Sequence, residues 1–214
     1  TSGIQLTGEL LNLVAAKLNA EEDSKAVTRD EDKMNALLVW CFIWSIGANI
    51  VDASRPMFCD FLREKFTPLI GSHQKYACLL EDPYDYCIDL KAGEARPWST
   101  IIDKFHYNHN EPFFSILVPT VDTTRYRYVL EKLMLNGNNV IFMGETGVGK
   151  SVIVNSFLND MVAQEKGVSY VMGYSAQTKP SNLRDVFETK LEKKRKTLLG
   201  PPSGKKMFMF IDDL

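Results

Sequence analysis

Apolar residues in the first third of the chain recur at the three- and four-residue spacing of α-helices. This spacing predicts three helices, and the polar segment 20–30 is predicted to link the first two. Pro56 suits the first turn of the third helix, for which Asp52 or Ser54 is available as a cap. The apolar positions are Leu10, Leu11, Val14 and Leu18 in the first helix, residues 36–51 in the second, and Met57, Phe58, Phe61 and Leu62 in the third.

From Tyr84 onward the hydrophobic pattern shortens to strand-like pieces. The segments YDYCIDL and RPWST are separated by KAGEA, which is typical of a small β-hairpin. Residues 99–117 show no period and are rich in aromatic residues and asparagine, so we interpret them as a connector. The sequence therefore predicts a mainly helical small unit over residues 1–98, a connector over 99–117 and a second unit over 118–214.

In the second unit, apolar runs alternate with amphipathic segments. Thr120 or Asp122 can cap a first helix, which Asn136 and Gly137 then interrupt. Strands that alternate with helices predict a parallel sheet covered on both faces, so the expected fold class is α/β. The chain stops directly after the last apolar run, and this sheet is therefore expected to be incomplete at its C-terminus. The apolar runs occupy residues 140–143, 168–174 and 207–211, with a helical stretch at 182–195 before the last.

A glycine-rich sequence follows the first of these apolar runs. It reads GETGVGKS over residues 144–151 and matches the phosphate-binding pattern Gly-x-x-x-x-Gly-Lys-[Ser/Thr] without a mismatch. Its glycines let backbone N–H groups converge on a phosphate, and the positive end of the next helix faces the same anion. Lys150 is predicted to reach the β- and γ-phosphate oxygens, and Ser151 to bind magnesium. The predicted nucleotide-binding residues of this loop are Gly144, Glu145, Thr146, Gly147, Val148, Gly149, Lys150 and Ser151.

Two acidic residues end the last apolar run. Asp212 and Asp213 lie at the carboxyl end of a predicted parallel strand, where open α/β proteins place their ligands. Asp212 is predicted to bind the nucleotide's magnesium through water, together with Ser151. Asp213 occupies the position of a general base that polarises the attacking water. Lys150 and Asp213 therefore form the predicted catalytic set.

Charge and cysteine content narrow the range of partners. The chain has 25 basic and 27 acidic residues and a net charge of −2, so it lacks the basic field of a nucleic-acid-binding protein. The basic positions within 190–196 are interspersed with Glu192, which favours a solvated helix face over a nucleic-acid patch. The apolar run 36–51 is shorter than the roughly 20 residues of a membrane span, and a buried core helix is expected there. The four cysteines lack metal-ligand spacing, which indicates reduced, buried thiols.

The order of these elements is similar to that of the AAA+ ATPases. The sequence motifs are similar to those of dynein heavy chains in particular. VPTVDT, GETGVGKSVIVNSFL, YSAQT, LEKKRK, GPPSGKK and FIDDL resemble the third AAA+ module of a dynein heavy chain. LVWCFIWSIGANIVDASRPMFCDFLREKF and YDYCIDLKAGEARPW resemble the C-terminal small subdomain of the second module. The Lys-Arg-Lys run, the GPPSGKK loop and the Asp-Asp ending resemble axonemal rather than cytoplasmic heavy chains.

This resemblance implies a P-loop AAA+ parallel-sheet core, preceded by the small lid subdomain of the previous module. It implies ATP or ADP with Mg²⁺ as cofactors, and it places Val118 and Pro119 in the loop that touches adenine. Arg55 falls near a lid arginine that would reach the previous module's nucleotide, although an arginine that begins an exposed helix is commoner. The family's acidic strand commonly ends Asp-Glu, and the shorter Asp213 slightly favours a site that holds nucleotide without turnover.

The implied function is ATP binding and hydrolysis in a microtubule motor that produces movement of cilia or flagella. The implied partners are neighbouring AAA+ modules and, through the whole protein, dynein intermediate and light chains and microtubules, with no nucleic acid and no membrane. The implied location is the cytoplasm and cytoskeleton, within the axoneme. A structural nucleotide-binding module and an unrelated AAA+ ATPase are the alternatives. The isolated chain is expected to bind nucleotide poorly and to be inactive, because the next module's arginine is missing.

Overall fold

The contacts within the chain divide it into two packing units. Of the described residues, those up to Phe142 belong to the helical unit, and those from Met143 onward belong to the P-loop unit. Each unit has buried apolar residues of its own. The computed structural model describes residues 3–19, 24–105, 118–174, 178–202 and 204–212.

Helices make up most of the helical unit. The side chain of Asp30 accepts a hydrogen bond from the backbone N–H of Lys33 at 3.2 Å and so caps the helix that comes after it. Short 3₁₀ turns at Gly47–Asn49, Asp52–Ser54 and Trp98–Thr100 and a π turn at Thr67–Gly71 connect the elements. The helices are α1 (Gly3–Asn19), α2 (Ser24–Arg29), α3 (Glu31–Ile46), α4 (Arg55–Phe66), α5 (Cys78–Glu81) and α6 (Val121–Leu135).

The three helices predicted in the first third of the chain are confirmed as α1, α3 and α4. The prediction of a plain linker over residues 20–30 is wrong, because α2 forms within it and buries Val27, which is 5% exposed. Pro56 lies in the first turn of α4 as predicted. Ser54 holds the cap position but makes no side-chain cap hydrogen bond, and Asp52 instead pairs with Arg55 at 2.9 Å.

The predicted apolar stripe of α4 is only half buried. Phe58 and Leu62 are buried, whereas Met57 is 76% exposed and Phe61 is 41% exposed. The two buried residues are four positions apart, and therefore only this i, i+4 pair faces the core. The sequence pattern overstated the width of the buried face of α4.

Aromatic side chains form the centre of the core in the helical unit. Trp40 and Trp98 are fully buried, and Trp44 is 4% exposed. The ring of Tyr126 lies 6.2 Å from that of Trp44, and the ring of Tyr128 lies 5.3 Å from that of Trp98. Both pairs meet edge to face, an arrangement that adds stability beyond the area buried. Since both tyrosines belong to α6, this helix packs against the aromatic core of the helical unit.

The position of α6 differs from the division predicted from the sequence, in which residues 118–214 form one unit. Thr120 caps α6 in a capping box with Thr123, as one of the two predicted caps. Asn136 ends the helix and Gly137 comes next with a φ of 85°, also as predicted. The aromatic face of α6 explains its packing, because its half-buried tyrosines lie against the tryptophans of the helical unit. The boundary at 99–117 stays a prediction.

The predicted hairpin is confirmed within the helical unit. Strands β1 (Tyr86–Asp89) and β2 (Glu94–Pro97) pair antiparallel. The carboxylate of Asp89 accepts a hydrogen bond from the backbone N–H of Ala92 at 2.9 Å and so closes the turn. Gly93 completes the turn with a φ of 69°, a conformation that favours glycine.

The P-loop unit is a small α/β structure, and the predicted α/β fold class is confirmed. Its two longest strands pair in parallel, with Gly167 opposite Lys206 and Gly173 opposite Asp212. The other two strands form an antiparallel hairpin. The elements are α7 (Lys150–Ala163), β3 (Gly167–Gly173), α8 (Pro180–Lys190), β4 (Glu192–Arg195), β5 (Leu198–Gly200) and β6 (Lys206–Asp212).

Three predictions from the sequence are wrong for the P-loop unit and the segment before it. Residues 140–143 are not a strand, and Met143 is 88% exposed. The helix predicted over 182–195 ends at Lys190, so the basic run after it lies on β4 and the turn that follows, and not on a helix face. The sheet is not covered on both faces along β3, because Val171 is 48% exposed. A strand needs a hydrogen-bonding neighbour, and no described strand pairs with residues 140–143.

Across the described stretches, no helix combines the length and apolar character that a bilayer crossing requires. The apolar run 36–51 instead supplies α3, whose residues Ala36, Leu37 and Trp40 are fully buried in the core of the helical unit. The interpretation of this run as a core helix is therefore confirmed.

Candidate functional site

The glycine-rich loop has the backbone conformation that its sequence predicts. Gly147 and Gly149 both have a φ of 86°, in the left-handed region that glycine adopts without a Cβ clash. No atom lies within 4 Å of a Cβ added to either glycine, so backbone conformation rather than space requires glycine there. Gly149 is followed directly by α7, whose first residue is Lys150. The loop therefore delivers the chain to a helix N-terminus, the positive end of a helix dipole.

A buried contact fixes α7 on the sheet. The rings of Phe157 on α7 and Phe208 on β6 meet edge to face at 5.8 Å, and both side chains are buried. A Cβ at Gly167 would lie 2.5 Å from the Phe208 ring, so this position requires glycine for space. Sequence analysis missed Gly167, Phe157 and Phe208 as supports of the site. The only signal in the sequence was a glycine directly before the predicted strand 168–174, because a glycine next to a strand can mark close approach by a neighbour.

The first residues of α7 face the carboxyl end of β6. The Ser151 hydroxyl donates a hydrogen bond to the Asp212 carboxylate, with Oγ and Oδ1 2.8 Å apart. The backbone oxygen of Asp212 accepts from the N–H of Tyr174 at 3.1 Å, which extends the pairing of β3 and β6 by one residue. Two predicted magnesium ligands, 61 residues apart in the sequence, are therefore adjacent in the fold.

The Lys150 ammonium lies against the loop itself. Its Nζ donates to the backbone oxygen of Gly144 at 3.0 Å and to that of Glu145 at 2.6 Å. Both acceptors are neutral carbonyls on an exposed loop. A phosphate oxygen carries negative charge and makes a stronger, charge-assisted hydrogen bond with an ammonium. The arrangement therefore holds a cation at the mouth of the loop, where an anion can replace the carbonyls as its partner.

The oxygen pair suits magnesium. Mg²⁺ prefers oxygen ligands and usually combines one or two protein groups with waters and phosphate oxygens. Ser151 and Asp212 supply two such oxygens at the N-terminus of α7. Within the described ranges no group of three His, Cys, Asp or Glu side chains could hold a metal ion. A magnesium ion at this place would complete its shell with nucleotide and water.

The other residues predicted for the nucleotide site lie on the loop, before α6 or outside the described residues. Glu145, Thr146 and Val148 are exposed along the loop. Val118 is 54% exposed and, with Pro119, precedes α6 in the helical unit, so the adenine contact of these two residues stays a prediction. Asp213 lies outside the described residues.

Arg55 has a structural environment in the helical unit. Its guanidinium lies 4.7 Å from the ring centre of Tyr84, and its ion pair with Asp52 closes at 2.9 Å. Stacking of arginine on an aromatic face is favourable by about 0.5–1 kcal/mol at exposed sites. These contacts hold the guanidinium within the helical unit, and a contact of Arg55 with the previous module's nucleotide stays a prediction.

Two family models match the chain, one after the other. The model described as Dynein heavy chain AAA lid domain matches residues 1–100. The model described as P-loop containing dynein motor region matches residues 105–214 and includes the glycine-rich loop and Asp212. The two matches together span almost the whole sequence.

Individual relatives agree with these matches. The chain is 36% identical over 197 residues to dynein axonemal heavy chain 6 of Homo sapiens, which covers 90% of this chain. It is 36% identical over 177 residues, or 82% of the chain, to the dynein-1-beta heavy chain of the flagellar inner arm I1 complex of Chlamydomonas reinhardtii. It is 34% identical over 180 residues, also 82% of the chain, to dynein axonemal heavy chain 2 of Homo sapiens. The chain spans only 5% of the first relative's length and 4% of each of the other two.

Proposed function

The chain belongs to the dynein heavy chains, as its motifs predicted, and we propose that its P-loop unit binds ATP with magnesium. The family is a P-loop motor region of the AAA type, so nucleotide is the ligand that the fold implies. The observation that carries the proposal is the 2.8 Å hydrogen bond between Ser151 and Asp212. It supports a shared role of the loop and the acidic strand in one site.

Each residue of the site has a proposed task. Backbone N–H groups of residues 144–149 and the N-terminus of α7 bind the phosphates. The Lys150 ammonium exchanges its bonds to the loop carbonyls for bonds to phosphate oxygens. Ser151 and Asp212 would hold the magnesium ion. Bound magnesium neutralises charge on the phosphate oxygens.

In the whole protein we propose that this site contributes to force-producing movement in cilia or flagella. The names of the relatives, axonemal heavy chains and a flagellar inner arm heavy chain, support this location. The proposed partners are neighbouring AAA+ modules of the same heavy chain and, through the full protein, intermediate and light chains and microtubules. The nucleotide would act by favouring one packing of neighbouring modules over another.

A lysine substitution tests nucleotide binding. Lys150→Ala is expected to weaken ATP binding by about 2–4 kcal/mol, or roughly 30-fold or more, because a charge-assisted contact to phosphate is lost. The affinity for a fluorescent ATP analogue with magnesium would be measured for parent and variant. Lys166→Ala, which removes an exposed lysine just after α7, is the matched control and should bind like the parent. Equal affinities for parent and Lys150→Ala would overturn the proposed site.

Substitutions of Asp213 distinguish ATP hydrolysis from permanent nucleotide binding. A second candidate function, nucleotide held as a structural ligand, is favoured by the aspartate where the family commonly has glutamate. We propose that Asp213 is the general base of slow hydrolysis in the whole heavy chain. Asp213→Glu in a heavy chain extended through the next module should then raise ATPase activity, measured as phosphate release. Unchanged activity in Asp213→Glu and in Asp213→Ala would favour the structural role.

A further inference from the structure

A charged hairpin projects from the P-loop unit between α8 and β6. It consists of β4 (Glu192–Arg195), β5 (Leu198–Gly200) and the two residues between them, Lys196 and Thr197. We refer to it as the basic hairpin, because four consecutive residues, 193–196, are lysine or arginine. All four residues of β4 are exposed. The nucleotide site makes no use of this element.

Strand register places cations and leucines opposite one another. Lys193 pairs with Leu199, and Arg195 pairs with Leu198, with an irregularity in the ladder between the two pairs. Residues directly opposite each other in a ladder have neighbouring side chains on the same face. Each leucine on the basic hairpin therefore has a positive charge beside it. Leu198 and Leu199 are consecutive in β5, so the two pairs lie on opposite faces of the hairpin.

Another basic side chain is occupied within the hairpin. Lys194 pairs with the carboxylate of Glu192 at 2.8 Å, and its aliphatic stem lies over Gly200, where an added Cβ would meet Cγ at 3.2 Å. Across the part of the chain that the structure describes, no carboxylate pairs with Lys193 or Arg195. The hairpin thus neutralises one of its own cations and leaves these two available.

Both leucines of the basic hairpin are exposed to solvent. Leu198 is 53% exposed and Leu199 is 42% exposed. A two-stranded hairpin is marginally stable by itself, and natural ones gain stability when an apolar face is covered. Covering both leucines removes apolar surface from water, which is favourable by about 25 cal/mol per Å². A partner that also carries negative charge would pair with the neighbouring cations.

We propose that the basic hairpin is a docking surface for an acidic protein segment that also presents leucine-sized apolar side chains. The cross-strand pairs Lys193–Leu199 and Arg195–Leu198 define its two contact points, one on each face of the hairpin. Charge complementarity selects the acidic partner, and the leucines favour a protein over nucleic acid, whose phosphate backbone would pair with the cations but leave the leucines in water.

A synthetic probe tests the surface on the intact 214-residue chain. The probe is a fluorescent helical peptide of glutamate and leucine, and its counterpart has glutamine in place of every glutamate. We expect the glutamate peptide to bind more tightly than the glutamine peptide, and we expect its binding to weaken with salt as the Debye length shortens. Equal binding of both peptides would overturn the charge complementarity.

Matched variants locate the contact. Lys193→Gln with Arg195→Gln is expected to weaken binding of the glutamate peptide about tenfold, since two charge pairs are lost. Lys75→Gln with Lys104→Gln removes the same charge from exposed positions of the helical unit and should leave binding unchanged. Leu198→Ser with Leu199→Ser should also weaken binding about tenfold, and Val51→Ser with Met57→Ser, at exposed apolar positions elsewhere, should not.

Two further probes identify the class of partner. Duplex DNA and vesicles that contain phosphatidylserine are titrated against the same variants. If either binds through the hairpin more tightly than the glutamate peptide does, the proposal of a protein partner is wrong. Circular dichroism of each hairpin variant checks that the fold is retained. If the hairpin variants keep their fold and bind the glutamate peptide like the parent, no docking surface exists there.

Discussion

The helical unit and the P-loop unit differ in where their large side chains lie. Of the largest fully buried side chains in the described residues, the helical unit holds all but one, including Trp40, Trp98 and Leu37. The P-loop unit contributes Phe157 alone to that set. Its core is essentially one face of α7 packed on β3 and β6. The helical unit is thus organised around burial, and the P-loop unit around an exposed loop.

This difference shows what each unit depends on. A phosphate-binding loop must keep its N–H groups accessible, so residues such as Glu145 and Thr146 cannot be buried to stabilise it. Its conformation comes instead from glycines with positive φ and from one ring contact under α7. Segments with few buried contacts open at low free-energy cost. We therefore expect substitutions in the two units to separate stability from nucleotide binding.

The largest expected effect comes from the core of the helical unit. Trp40→Ala removes a fully buried ring and the hydrogen bond from its Nε1 to the Tyr86 carbonyl, 3.1 Å long. Deletion of a buried aromatic ring costs about 3–5 kcal/mol in the free energy of unfolding. All three tryptophans of the chain lie in the helical unit, so the fluorescence of Trp44 and Trp98 during urea unfolding reports on that unit.

Trp40→Phe is the control for this substitution. It keeps most of the ring and loses the hydrogen bond, whose net contribution is about 1 kcal/mol, so it should destabilise much less than Trp40→Ala. A loss below about 1 kcal/mol for Trp40→Ala would contradict the picture of a unit that depends on its aromatic core.

Sequence patterns predicted the elements whose determinants are local. The glycine-rich loop, the start of α7 and the cap of α6 at Thr120 depend on residues close together in the chain. The spacing of the acidic strand also placed Asp212 correctly, because the carboxyl ends of parallel strands and the N-termini of their helices meet at one edge of a sheet. Gly167 was missed, because its need for space comes from Phe208, 41 residues later.

Two of the wrong predictions concern strands, which depend on pairing with residues outside the predicted segment. Residues 140–143 read as a strand from their apolar character, yet a strand forms only beside a hydrogen-bonding neighbour, which local pattern does not supply. The basic run after Lys190 consists of good helix formers and read as a helix face, but β4 pairs with β5 instead. The turn of this hairpin, Lys196 and Thr197, lacks the glycine or asparagine that marks most tight hairpins.

The next effect is a loss of stability in alkali that is confined to the helical unit, which contains all four cysteines. Burial raises the pKa of the Cys87 thiol from 9.0 to about 11. The folded state therefore keeps this proton at a pH where the unfolded state has lost it. The thiol's contribution to stability is full below pH 9 and decreases as pH rises from 9 to 11, by about 2 kcal/mol at pH 11.

Cys87→Ala isolates this effect from the titration of lysines and tyrosines. The free energy of unfolding of parent and variant is measured by tryptophan fluorescence in urea at pH 8 and at pH 11. The parent should lose about 2 kcal/mol more than the variant between the two values. An equal loss in both proteins would show that the Cys87 thiol does not titrate with a raised pKa. Burial also raises the pKa of the Cys41 thiol. Cys41 is present in both the parent and the variant, so its titration does not contribute to the difference between them.

The smallest stability effect gives the sharpest contrast between the units, because the chain holds a matched pair of glycines. Gly137 in the helical unit has a φ of 85° and Gly149 in the P-loop unit a φ of 86°, and an added Cβ at either would meet no atom within 4 Å. Alanine in the left-handed region costs roughly 1–2 kcal/mol, partly offset by a stiffer unfolded chain, so each Gly→Ala should destabilise its unit by about 1 kcal/mol.

The two substitutions should differ only in nucleotide binding. Gly149→Ala strains the turn that aims the loop's N–H groups and begins α7, so we expect it to weaken binding of the ATP analogue about tenfold or more, whereas Gly137→Ala should bind like the parent. Both variants are compared by urea unfolding and by titration with the analogue. If both weaken binding equally, a general loss of stability is responsible and not the loop geometry. If neither does, the left-handed turn at Gly149 is not needed to hold phosphate.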